Sequence, residues 1–283
     1  MIEMKSKAHG KVFVGDIIEV LEMLAPSYLA EEWDNSGLQV GSRLWPVQRI
    51  WVALDPLPSV VQAAVGQKID LLITHHPLLF HPLVSVDVQT APGRTIETAL
   101  AARMALYAAH TNLDSARQGV NDILARMIGL QDRKPLVPAE RSVAETATGE
   151  SLGMGRVGRL AAPLTLEELA RQIKTRLRLP GVRVAGSPEL KVDHVAVCSG
   201  SGASLMETFL NCQAQVFVSG DLRYHDARTV EEVGRALIDI GHFPSEHLVL
   251  EPLAEQLRKI AREKEWQLTI EVCQLEHDPF NII

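Results

Sequence analysis

Short apolar blocks alternate along this chain with longer stretches in which hydrophobic residues recur every three or four positions. The blocks at residues 50–54, 71–74, 105–109, 195–198, 216–219, 236–240 and 267–272 predict strands. Several are apolar almost throughout, the pattern of strands buried on both faces of a parallel sheet. The periodic stretches at 16–24, 59–67, 96–103, 121–128, 166–177, 204–210, 227–233 and 245–262 predict amphipathic helices. Alternation of this kind predicts a layered α/β fold.

Residues 133–155 break the rhythm with prolines, threonines, serine and charge, and predict a linker. The chain is therefore expected to divide near residue 132, into a first half 1–132 and a second half 133–283. The strand at 267–272 is free to return to the sheet of the first half.

Polar residues follow the apolar strands directly. His75 and His76 come after 71–74, His110 and Asp114 after 105–109, Gly220 and Asp221 after 216–219, and His242 after 236–240. Ligands of open α/β sheets bind beyond the carboxyl ends of the strands. His110-x-x-x-Asp114 and His242-x-x-x-Glu246 share one spacing although they lie far apart.

Each residue also has a plain structural reading: buried hydrogen-bonded histidines, a loop-ordering Asp114, and Glu246 in a first helical turn. Taken together, four imidazoles and two carboxylates exceed what one catalytic metal needs, and two divalent ions use the surplus. Imidazole and carboxylate donors without thiolates suit zinc, manganese, iron or cobalt at an open site.

Other motifs say less. Gly153-Met-Gly155-Arg-Val-Gly158 follows a polar segment rather than a strand and predicts a turn into a new strand, not a dinucleotide fingerprint. The glycines at 200 and 202 serve either a phosphate cradle or close strand–helix packing. Arg223 could hold an anion and His225 could move a proton or touch substrate; a solvated loop with Asp226 as a helix cap is the alternative.

Composition narrows the classes. A formal charge of −7 argues against broad binding of a nucleic acid backbone, although bound cations would still draw one small anion. Cys198, Cys212 and Cys273 form no C-x-x-C pair, which removes a thiolate zinc knuckle and favours a reducing compartment. Lysines at 5, 7 and 11 precede an apolar block too short for a secretory signal, so cytoplasm is the expected location and no membrane partner is expected.

The segments Trp33-Asp34-Asn35-Ser36-Gly37-Leu38-Gln39-Val40-Gly41, Thr74-His75-His76-Pro77, His110-Thr111-Asn112-Leu113-Asp114, Gly220-Asp221 through His225-Asp226, and Gly241-His242 through Glu246 resemble the NIF-three-like family of dinuclear metal proteins. In bacteria this family carries the name GTP cyclohydrolase 1 type 2. The resemblance spans nearly the whole chain. It implies two similar α/β domains, mixed sheets flanked by helices, with a metal cleft between them. It assigns the metals to His75, His76, Asp114, His242 and Glu246, and leaves His110 and His225 beside the site as catalytic candidates. It further implies a homohexamer without the inserted domain of longer members, and a small-molecule substrate such as a nucleotide. Hydrolysis of the guanine ring of GTP is the implied reaction. A phosphoesterase and a non-enzymatic metal-binding scaffold are the rival readings.

Overall fold

The computed structural model describes residues 11–139 and 152–281. Positions 140–151 of the expected linker, and the lysines at 5 and 7, lie outside the described residues. The described residues form two compact units, the first made of residues 11–23, 33–110 and 250–276, the second of 24–32, 111–139, 152–249 and 277–281. Each is built on a mixed sheet flanked by helices.

In the first unit five strands run in the order Thr269–Val272, Arg49–Ala53, Leu71–Thr74, Ala105–Ala108 and Gly37–Val40. The first four are parallel, and Gly37–Val40 closes the edge antiparallel. Leu71–Thr74 and Ala105–Ala108 are buried at every position, which explains their unbroken apolar runs.

The helix Pro58–Gly66 starts with proline in its first turn and turns Val60, Val61 and Ala64 inward, so its apolar stripe faces the sheet core. The helix Ala91–Ala101 is capped by the Thr90 hydroxyl, which accepts from the Gly93 amide. These helices pack over a core that includes Leu72, Ile96, Met104 and Leu106.

The sheet of the second unit has six strands, ordered Arg183–Ala185, Ala236–Asp239, Val216–Gly220, Lys191–Ser201, Arg156–Thr165 and Gln131–Lys134. Lys191–Ser201, Val216–Gly220 and Ala236–Asp239 form its parallel centre. Val195, Val197, Val216, Val218 and Ile238 bury one face against the helix Leu166–Arg176; Ala196, Phe209, Phe217 and Leu237 fill the other. Thr165 and Glu168 close a reciprocal capping box at the start of that helix. Gly153–Met154 runs into the strand Arg156–Thr165, so the glycine-rich motif is the expected turn into a strand.

One expected helix differs. Residues 245–262 divide into His242–His247 and Leu250–Glu263, with a turn at Leu248 and Val249. The chain passes from the second unit to the first at this break. A continuous helix would keep 245–262 on one axis; the turn lets Glu246 belong to one unit and the stripe Leu250, Leu253, Ala254 and Leu257 to the other.

Candidate metal centre

The carboxyl ends of the parallel strands carry the candidate chemistry in each unit. In the first, Leu71–Thr74 ends at His75 and His76, and Ala105–Ala108 is followed by Ala109 and His110. One ring nitrogen from each of these three histidines lies within 4.8 Å of the others, a cluster capable of coordinating a metal ion. Their ring centroids are 5.1 to 5.5 Å apart.

Every ring in this cluster is oriented from behind. His75, 2% exposed, donates from Nδ1 to the Ala109 carbonyl at 2.8 Å. His76 donates from Nδ1 to Asp55 at 2.8 Å, and His110 from Nδ1 to Asp34 at 2.7 Å. With Nδ1 committed, Nε2 is the atom each ring leaves for a metal or a proton, and a hydrogen-bonded carboxylate or carbonyl makes it a better donor. The supports are themselves held. Ser36 Oγ donates to Asp34 at 2.7 Å, and Glu276 accepts from the Leu54 and Asp55 amides at 2.8 and 2.7 Å. Burial pushes the Glu276 carboxyl above the usual carboxylate range, against those two amide hydrogen bonds.

The second unit supplies carboxylates. Asp114 lies on the short helix Thr111–Ser115 and is 7% exposed. Its carboxylate accepts from Ser199 Oγ at 3.1 Å, and its carbonyl accepts from Asn121 Nδ2 at the same distance. His242 donates from Nδ1 to Asp221 at 2.7 Å, while its Nε2 lies 3.0 Å from a Glu246 oxygen. Glu246 is 3% exposed.

Gly200 explains how backbone and carboxylate fit together. It has φ +61°, and a Cβ there would stand 2.1 Å from Glu246 Oε1 and 3.3 Å from His242 Nε2. Its amide donates to Ser245 Oγ at 2.8 Å. The glycine therefore serves close packing against donor side chains, which decides between the two readings open from sequence. Two residues earlier on the same strand, burial pushes the Cys198 thiol up, and the charges of Asp114 and Glu246 push it further.

The donor types, imidazole nitrogen and carboxylate oxygen with no thiolate, fit a divalent transition metal. His225 stands apart from them. It is exposed in the first turn of the helix Tyr224–Glu232, edge-on to the Tyr224 ring, and belongs to none of the metal-competent clusters among the described residues. Arg223 pairs with Asp226 at 3.1 Å. Asp34, Asp55 and Asp221 are the hydrogen-bond partners of the imidazoles, a role that the sequence does not give them. Asp34 and Asp221 stood inside quoted motifs, and Asp55 follows an apolar strand, the same signal that picked out the histidines.

Two mixed α/β sheets whose strand ends present histidines and carboxylates define a class of metal-binding α/β protein. Within it, the chain belongs to the Duf34/NIF3 (NGG1p interacting factor 3) family, whose profile matches residues 12–279. A Streptomyces coelicolor protein named GTP cyclohydrolase 1 type 2 homolog is 38% identical over 272 residues, covering 94% of this chain and 93% of that protein. A Clostridium perfringens protein of the same name is 33% identical, over 95% of this chain and 99% of its own length. Among solved structures, a Bacillus cereus protein related to NIF3 superposes with TM-score 0.88 at 27% identity, covering 97% of this chain and all of that one. Reduced HcgD from Methanocaldococcus jannaschii superposes with TM-score 0.79 at 31% identity, over 94% of this chain and 99% of its own.

Proposed function

We propose that this protein is a dinuclear metal-dependent hydrolase acting on a nucleotide or related small anion, with GTP as the first candidate. In this reading His75, His76, Asp114, His242 and Glu246 hold two divalent ions, zinc, manganese or iron. These residues would offer imidazole nitrogen and carboxylate oxygen to the ions, a donor set suited to such metals. The observation that carries the reading is the set of imidazoles fixed through Nδ1, two of them by carboxylates, at the ends of parallel strands. Structural histidines need no such common aim.

Bound divalent ions supply electrophilic polarisation and positive charge for an anionic substrate. The chain's own part is orientation and proton movement. Asp34 holds His110 by Nδ1, which leaves Nε2 as the atom that takes or returns a proton, the arrangement of a general base paired with an orienting carboxylate. His225, exposed at a helix start, is assigned an outer role in substrate contact. The name shared by the S. coelicolor and C. perfringens relatives supports GTP as the candidate. A homohexamer in the cytoplasm is part of the same proposal. Among the described residues no helix is long and apolar enough to cross a membrane.

The test is turnover of GTP by metal-loaded protein, with products separated by chromatography. Formate release that falls by about two orders of magnitude or more in His76→Ala and Asp114→Ala is the expected result. Phosphate release in place of formate would make the protein a phosphoesterase. No turnover of any nucleotide by fully loaded protein would overturn the enzyme reading.

A further inference from the structure

The segment Trp33 to Gln39 does more than supply Asp34 and Ser36. Trp33 is 58% exposed and Phe80 45% exposed, two large apolar rings left in water beside the histidine cluster. Their centroids are 5.7 Å apart with the planes tilted by 48°. Both stand nearly edge-on to His110, Trp33 at 6.0 Å and 76°, Phe80 at 6.3 Å and 69°. Exposed aromatic surface at a cluster of convergent polar groups is the mark of a ligand site rather than of a solvated loop.

The pair is held in place by its neighbours. Asn35 Nδ2 donates to the Leu79 carbonyl at 2.6 Å, and the Leu79 amide donates to Gln39 Oε1 at 3.2 Å. Gln39 Nε2 in turn donates to the Asn35 carbonyl at 2.6 Å. The Asn35–Leu79 bond ties the segment of Trp33 to the segment of Phe80 within two residues of either ring, and Gln39 braces both partners. Such a connection fixes two rings before any ligand arrives, which lowers the ordering cost of binding.

We propose that Trp33 and Phe80 form a stacking platform for a planar heteroaromatic ring of purine size, and so determine the class of substrate. This rests on the reading of the histidine cluster as the centre of a small-molecule hydrolase, and it narrows that reading to substrates with a ring. A bare sugar phosphate or an aliphatic ester would gain nothing from a π face, whereas any flat base would. His110 lies against both rings, so a base stacked there brings its edge to the imidazole assigned to proton movement. Asn35 and Gln39 are positioning residues, acting through the two loops.

Equilibrium dialysis of guanosine against the full, metal-loaded chain tests this apart from catalysis, with the recovered ligand checked by chromatography. Guanosine binding is expected, with ribose 5-phosphate failing to compete. Trp33→Leu and Phe80→Leu, which keep apolar bulk and lose the aromatic face, are each expected to weaken guanosine by about tenfold or more. Trp33→Phe, which keeps a face, is expected to retain most of the affinity. Unchanged affinity in both leucine variants overturns the proposal, and so does a protein that turns over GTP but does not bind guanosine. Guanosine binding lost in Trp33→Leu, from a protein that hydrolyses nothing, upholds the platform while the hydrolase reading fails. Absence of both binding and turnover overturns both.

Discussion

Asp55 and Asp34 each hold one imidazole through Nδ1, at 2.8 and 2.7 Å, and that hydrogen bond fixes both the tautomer and the direction of Nε2. Loss of such a support typically weakens metal affinity by about 10- to 100-fold. Asp55→Asn is therefore expected to shift competition with a fluorescent chelator by that range, and unchanged affinity would remove Asp55 from the account. Gly200→Ala tests the donors of the second unit. A Cβ at φ +61° would fall 2.1 Å from Glu246 Oε1, so the variant is expected to lose about 1–2 kcal/mol in urea denaturation from backbone strain alone, together with most of its bound metal. The grouping of His75, His76 and His110 was legible because strand-end position and ligand chemistry agreed. The orienting aspartates were not, because a carboxylate after a strand has no spacing that names its partner, and Asp34 meets His110 across 76 residues of sequence.

Among the elements, the strands within the sheets were the most legible. Leu71–Thr74 matches its apolar block residue for residue, and Val216–Gly220 extends its block by one. Burial on both faces leaves a plain signature. Gly37–Val40 carries no such signature, and Arg156–Thr165 shows only as the strand expected after the glycine-rich turn, without a readable extent, for the complementary reason. The first begins with a glycine at φ +118° and carries Gln39, while the second contains Gly158, Arg159 and Pro163, residues that weaken a strand pattern. The apolar period continues through Leu248 and Val249, so the sequence predicts one helix over 245–262, and only tertiary structure separates the parts. The capping box at Thr165 gives a test of local structure independent of the metal. The Thr165 hydroxyl accepts from the Glu168 amide at 3.2 Å, and Glu168 returns a bond to the Thr165 amide at 2.8 Å. Thr165→Ala is expected to lower unfolding free energy by about 1 kcal/mol, seen as a lower urea midpoint at unchanged slope, with metal content unaltered.

For the whole molecule, the two units follow one plan: parallel strands at the centre of a mixed sheet, with polar residues beyond their carboxyl ends. One unit offers the imidazoles of His75, His76 and His110; the other offers Asp114, His242 and Glu246. The proposed function takes its five metal ligands, His75, His76, Asp114, His242 and Glu246, from these side chains. Crystals grown with manganese and measured for anomalous scattering test that assignment directly. The proposed function predicts two peaks per chain, each within bonding distance of donors from His75, His76, Asp114, His242 or Glu246. An anomalous map without peaks at these side chains, or with metal bound only elsewhere on the surface, would contradict it.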